Sequence, residues 1–209
     1  MKSWVIRGLR KGILTTRFPK GDAEDVPLWT TKPVKMSDGE VRCPAGAISD
    51  GAVDMNRCIS CGRCSEHYVP DGRPVHSTVN SGISIASRSF HIYMIDTGSC
   101  GACNSEVHSL HNPVYDFNRL GMFVTNTPRH ADALIVVGVV SEGMEMALKA
   151  AYEAMPSPKI VIATGTCSIS GGIIGKGVDG VLPADVLVPG CPPSPYAILD
   201  ALIRARDAK

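Results

Sequence analysis

The sequence predicts an α/β protein with a parallel sheet at its centre and a small cysteine-rich segment ahead of it. Three observations carry that prediction. Four short apolar runs, "FHIYMI" from residue 90, "ALIVV" from 133, "KIVIA" from 159 and "VLV" from 186, are nearly unbroken, as strands are when helices cover both faces of a sheet. Between and after them the apolar residues take helical spacing: Met144, Ala147, Leu148, Ala151 and Met155 in one stretch, Ile198, Leu199, Leu202 and Ile203 in another. Half of the eight cysteines fall between residues 43 and 64, where no long apolar run exists, so that segment needs bound metal for much of its stability.

From the amino end, residues 1–34 carry Lys2, Arg7, Arg10, Lys11, Arg17 and Lys20 before the first acid. Trp4, Val5, Leu9, Ile13 and Leu14 interleave with them at roughly helical spacing, which makes an amphipathic arm with one apolar and one basic face. Such an arm suits an anionic membrane surface or a membrane partner; the alternative is a helix packed on its own protein. Residues 35–75 form the cysteine-rich segment and residues 76–88, "VHSTVNSGISIAS", a small-residue connector. Residues 89–209 hold the α/β pattern, with Ser194 and Pro195 as cap and first-turn residue of the last helix.

The chain of 209 residues is 44% hydrophobic and 20% charged with a net charge of +1, which disfavours a globally basic nucleic-acid binder. No apolar run approaches the roughly 20 residues that span a bilayer, and the start lacks the apolar core and cleavage site of a signal peptide. The expectation is a cytoplasmic chain, in which clustered C-x2-C cysteines point to metal rather than to disulfides.

Residues 56–70, "NRCISCGRCSEHYVP", begin like the bacterial iron–sulfur run C-x2-C-x2-C-x3-C-P and then depart from it, with Tyr68 in the fourth position. In two-cluster ferredoxins the fourth cysteine of each run serves the other cluster, so the missing ligand belongs to a Cys-Pro upstream. "VRCPAGAI" supplies Cys43 and Pro44. Cys43, Cys58, Cys61 and Cys64 then complete a shell for one 4Fe-4S cluster, and the segment resembles the centre of a bacterial ferredoxin with one of its two clusters deleted. A zinc ribbon is the competing reading, but C-x2-C-x2-C crowds a tetrahedral ion while suiting the corners of a cube. His67 reads as a solvated loop residue.

The other four cysteines follow predicted strands. Cys100 and Cys103 lie in "DTGSCGACNSE", Cys167 in "TGTCSISGG" and Cys191 in "PGCPPSP". Loops at the carboxyl ends of strands in an open α/β sheet converge on one crevice, so these four predict a second 4Fe-4S cluster. Gly98, Gly101, Gly165, Gly171, Gly172 and Gly190 allow backbone amides to approach it, and Pro192 and Pro193 stiffen the last loop. A phosphate cradle is the alternative use of such loops, yet no Walker or G-x-G-x-x-G pattern follows these strands.

The stretches "CGACNSE", "NPVYDFNRLGMFVTNTPRHADALIVVG", "PKIVIATGTC" and "VPGCPPSPYAILDAL" resemble the small-subunit family shared by nickel–iron hydrogenases and the B-type subunit of respiratory complex I, over residues 90–205. That resemblance implies a flavodoxin-like domain whose cluster lies against a catalytic large subunit and exchanges electrons with it. The complex I branch carries two adjacent cysteines before its C-x-x-E, whereas here Gly101 and Ala102 separate Cys100 from Cys103. The spacing is similar to hydrogenase small subunits, particularly the membrane-bound energy-converting ones, and "WVIRGLRKGILTTRFPK" resembles the arm of their ferredoxin-type subunits. "CSISGGIIG" after Cys167 departs from the hydrogenase pattern and leaves open a relative whose large subunit lacks nickel ligands.

The resemblance matches Glu106 to the glutamate beside the cluster, with helix-start electrostatics as the alternative. It also makes Arg129 and His130 candidates for contact around the thiolates, with surface loop residues as the alternative. His108 and His111, three residues apart, lack carboxylate company for a metal site. The expected protein is an electron-transfer subunit with two 4Fe-4S clusters and no catalytic site of its own. It would sit peripherally on the cytoplasmic face of the membrane in a hetero-oligomer with a catalytic large subunit, an electron donor or further iron–sulfur subunit, and membrane subunits. The competing readings are a quinone-linked complex I relative and a zinc-stabilised assembly protein.

Overall fold

The computed structural model describes residues 4–22, 26–80 and 89–207; most of the predicted connector, residues 81–88, lies outside the described residues. The chain begins with helix α1 (Trp4–Lys11). All of its residues are exposed, Trp4 at 83% and Leu9 at 79%, so its apolar face is largely open. After it, Thr15 Oγ1 donates to the Pro113 carbonyl at 2.8 Å, Thr16 N donates to Val114 O at 2.8 Å, and the Phe18 ring meets Tyr196 edge-on with centroids 5.7 Å apart. The base of the arm is therefore fastened to the larger domain while the helix projects from it.

The cysteine-rich segment is a set of short strands. Strands β1 (Thr31–Lys35), β2 (Ile48–Ser49), β3 (Ala52–Val53) and β4 (Tyr68–Pro74) form two antiparallel pairs, β1 with β4 and β2 with β3. Asp50 and Gly51, at φ 50° and 76°, make the tight turn between β2 and β3 that an Asp-Gly pair favours. The buried core here is small: Val53, Met55 and Tyr68, flanked by Val41, Ile48, Val75 and the side chains of Cys58 and Cys64.

A six-stranded sheet dominates the rest. Its strands are β5 (Thr78–Val79), β6 (Phe90–Asp96), β7 (Met122–Val124), β8 (Ala133–Val137), β9 (Ile160–Thr164) and β10 (Val186–Val188), in the spatial order β5-β10-β9-β8-β6-β7. All neighbours are parallel except β5, which caps the β10 edge antiparallel. Numbered from β6, the parallel strands run 2-1-3-4-5, the doubly wound order of flavodoxin-like sheets. The side chains of β8 show why: Ala133, Ile135 and Val137 join the core under α2 (Ala102–Ser109) and α5 (Pro195–Asp207), while Leu134 and Val136 join the core under α3 (Glu142–Ala154) and α4 (Thr166–Ser170). Alternate residues bury on opposite faces, so the strand is apolar throughout. Ser194 caps α5, its Oγ accepting from Ala197 N at 3.2 Å. No helix among the described residues is long and apolar enough to cross a membrane.

Candidate metal centres

Each cysteine of the larger domain sits where a strand ends. Cys100 and Cys103 follow β6, Cys167 lies in α4 after β9, and Cys191 follows β10; because these strands are parallel, all four are at one edge of the sheet. The Asp96 carboxylate shapes the first of these loops, accepting from Gly98 N (2.9 Å), Ser99 N (2.8 Å), Ser99 Oγ (2.8 Å) and Asn104 Nδ2 (2.6 Å). Burial acts to raise its pKa, yet the hydrogen bonds prevail and hold the carboxylate below its usual range. The loop also passes tightly over its neighbour, since a Cβ on Gly138 would stand 2.5 Å from the Gly98 carbonyl carbon.

These thiols feel one another. Burial pushes the Cys103 thiol up to about 12, with Cys191, Cys167, Cys100 and Glu106 adding to the rise. Cys191 is raised by burial and then by Cys167, Cys100 and Cys58, and Cys167 by burial and Cys100. Cys103, Cys167 and Cys191, raised in this way, form a poor site for free thiolates and a good one for a cationic centre, which deprotonates its sulfur ligands outright. Two glycines leave room beside them: a Cβ on Gly165 would lie 2.5 Å from Cys103 Sγ, and one on Gly172 3.4 Å from Cys167 Sγ.

Cys43, Cys58, Cys61 and Cys64 line one apolar cavity of about 240 Å³, with Leu28, Trp29, Pro44 and Tyr68 among its other walls. Ala47 N donates to Cys43 Sγ at 3.3 Å. Burial raises the Cys58 thiol while the Ser60 amide opposes the rise, and Cys64, Cys43 and Cys61 add to it; burial likewise raises Cys64. Tyr68, in the position where a ferredoxin run has its fourth cysteine, is 5% exposed and packs in the small core with Val53 and Met55. Among the described residues no three Cys, His, Asp or Glu side chains gather tightly enough to hold a single metal ion. By donor chemistry both groups of four fit an iron–sulfur cluster, and the cavity lined by Cys43, Cys58, Cys61 and Cys64 gives the first group room for one.

The two groups adjoin. Besides the effect of Cys58 on the Cys191 thiol, Thr166 Oγ1 donates to the Cys58 carbonyl at 2.8 Å. Cys61 and Cys100 are the exposed members of the two groups. Sequence reasoning singled out the cysteines and missed Thr166, since a hydroxyl beside a glycine carries no periodic or spacing signal.

The other candidates fall as follows. Glu106 lies on α2, half-buried, and burial raises its carboxyl. Arg129 and His130 are exposed on the short turn Pro128–His130 that precedes β8. The amino end of a parallel strand is the edge opposite the cysteines, which takes Arg129 and His130 away from the thiolates. His111 lies beyond the end of α2, its ring against Phe117 with centroids 4.8 Å apart, and His67 Nδ1 pairs with Ser37 Oγ at 2.9 Å.

Comparison with known proteins gives a consistent match to the larger domain. The sequence profile described as "NADH ubiquinone oxidoreductase, 20 Kd subunit" matches residues 100–205. An uncharacterized protein of Methanocaldococcus jannaschii, MJ0516, is 42% identical over 122 residues, which is 56% of this chain and 82% of that one. The probable membrane-bound hydrogenase subunit mbhJ of Pyrococcus furiosus is 40% identical over 124 residues, 56% of this chain and 74% of that one. NAD(P)H-quinone oxidoreductase subunit K of Thermosynechococcus vestitus is 43% identical over 111 residues, 50% of this chain and 47% of that one, so the chain spans about half the length of that relative.

Proposed function

The chain belongs to the NADH ubiquinone oxidoreductase 20 kDa subunit family, and from that membership we propose that it is the iron–sulfur electron-transfer subunit of a membrane-associated hydrogenase complex. The observation that carries the proposal is the gathering of all eight cysteines into two groups of four that meet at Cys58 and Cys191. Cys43, Cys58, Cys61 and Cys64 would hold one 4Fe-4S cluster in a ferredoxin-like segment, and Cys100, Cys103, Cys167 and Cys191 the second in the flavodoxin-like domain. Clusters with four thiolate ligands supply one-electron transfer and offer no open coordination position for substrate.

The chain's own residues hold and insulate these centres. Tyr68, Val53 and Met55 exclude water from the inner side of the first group, and Cys61, exposed beside Leu28 and Trp29, is its open side and the face for an electron donor or further iron–sulfur subunit. At the second group the exposed Cys100 and the exposed pair Ile173 and Ile174 offer a partly apolar surface to the catalytic large subunit. The basic and apolar faces of α1 fit a peripheral position on the cytoplasmic side of the membrane, next to membrane subunits.

A quinone-linked complex I type of assembly is the second reading, favoured by the match to NAD(P)H-quinone oxidoreductase subunit K. The separation of Cys100 from Cys103 by Gly101 and Ala102 supports the hydrogenase reading over it. One purification tests both levels. The proposal expects a brown protein with about eight iron atoms per chain and a co-purifying large subunit with paired C-x2-C nickel ligands and hydrogen-evolving activity. A large subunit without those cysteines transfers the chain to the quinone-linked reading, and a colourless zinc protein ends both.

A further inference from the structure

Thr166 is 1% exposed and opens α4, immediately before Cys167. Its side chain reaches out of its own domain, donating to the Cys58 carbonyl at 2.8 Å across 108 positions of sequence. The Gly190 carbonyl, immediately before Cys191, lies 3.2 Å from the same hydroxyl and also accepts from Thr166 N at 2.9 Å. A hydroxyl has one proton to give, so the shorter contact takes it and the longer one shares it. One small side chain thus ties together backbone next to Cys167, backbone next to Cys191 and the backbone of Cys58 itself.

Elsewhere the segment carrying the first cysteine group meets the sheet domain through residues 76–80. Strand β5 pairs with β10, Asn80 N donates to Asp185 O at 2.7 Å, and Arg204 Nη1 donates to Ser77 O at 3.3 Å. Those contacts fix the end of the segment that follows β4. They leave the cysteine-bearing loop, whose core is small, to be held against the sheet edge by something local. The Thr166 bond lies at that junction, where burial makes an unpaired carbonyl costly and so makes the bond selective for one arrangement.

From this geometry we infer that Thr166 is the positioning residue that sets the separation of the two cysteine groups, so that the centres they hold communicate at one fixed distance. The inference rests on the two-cluster reading given above. Thr166 is not one of the cysteines that would hold a centre; it acts by holding the Cys58 main chain against the Gly190–Cys191 turn. Coupling between the two centres, rather than the assembly of either, is the property it controls.

The test uses the purified anaerobic complex with wild-type chain, Thr166→Val and Thr166→Ser. Valine keeps the branched shape and removes the hydroxyl; serine restores the donor. Iron content and the electron paramagnetic resonance spectrum of each separately reduced centre report assembly, and the spin–spin splitting of the fully reduced protein reports their separation. The expected result is full iron and unchanged individual spectra in all three proteins, loss of the splitting in Thr166→Val and its return in Thr166→Ser. Unchanged splitting in Thr166→Val overturns the inference and leaves the two-cluster reading standing. Loss of iron from either centre in Thr166→Val also overturns it, because the residue would then maintain a ligand shell rather than a spacing. A wild-type protein with a single reducible centre sinks the two-cluster reading itself, and this inference with it.

Discussion

Gly165 shows how closely single residues are fitted around the cysteines. Its φ is 88°, and a Cβ there would stand 2.5 Å from Cys103 Sγ, so both backbone freedom and close approach demand glycine. Gly165→Ala is expected to abolish the second centre while sparing the first, read as a fall from about eight to about four iron atoms with one of two reduced-state signals remaining; two undiminished signals would show that the turn tolerates a methyl group. Cys43→Ser is the complementary change. It should remove the first centre and leave the second, which tests the pairing of Cys43 with a motif that starts 15 residues later. At this scale the sequence singled out by spacing the cysteines that the structure brings together in two groups of four. It marked Tyr68 as the residue in place of the fourth cysteine without showing that its ring fills the core of the small segment, and it left Arg129 between the thiolates and a surface loop, because a short polar turn in the sequence gives no sign of which sheet edge it occupies.

Among the elements, strands β6, β8, β9 and β10 were legible because helices cover both faces and leave no polar positions to interrupt the run. Strand β7 was not: it is the sheet edge, and of its three residues Met122 is buried while Phe123 and Val124 are exposed. Strands β1 and β4 contain Pro33, Pro70 and Pro74, residues tolerated in an isolated two-stranded pair but contrary to a strand pattern. Helix α1 was legible as amphipathic, and in the structure none of its residues is buried. Its apolar residues Trp4, Val5, Ile6 and Leu9 are exposed, with Arg7, Arg10 and Lys11 on the remaining face. Each cation near an anionic bilayer contributes about 1 kcal/mol, so replacing all three with glutamine should weaken binding to vesicles containing phosphatidylserine by about 3 kcal/mol, on the order of a hundredfold. Cosedimentation at low and high salt measures this. Equal binding of the variant, or wild-type binding to neutral vesicles of the same strength, would rule out an electrostatic membrane contact.

Across the whole molecule, stability is divided unequally between two kinds of core. The sheet domain has two large buried clusters, one on each face, made of side chains such as Ile135, Ile162, Ile198 and Leu202 on one and Leu134, Val161 and Leu148 on the other. The segment from β1 to β4 has Val53, Met55 and Tyr68, too little apolar burial to offset the ordering of so many loop residues. On the two-cluster proposal its order comes from the centre held by Cys43, Cys58, Cys61 and Cys64 and from its ties to the sheet, of which Thr166 is one. Removing iron anaerobically with a chelator should therefore unfold the small segment and leave the sheet standing. In hydrogen exchange the amides of Cys58 and Tyr68, which bond to Asp54 O and Cys64 O, should lose protection, while those of Ile135 and Ile162, inside parallel strands on both sides, should keep theirs. Retained protection at Cys58 and Tyr68 would mean that the small core suffices without metal. Joint loss at all four amides would mean that the molecule folds as one cooperative unit, with the second centre also holding the sheet together. The asymmetry also explains why the sheet was readable from apolar periodicity and the smaller segment only from its cysteines: each part of the chain displays in sequence the interaction that holds it in place.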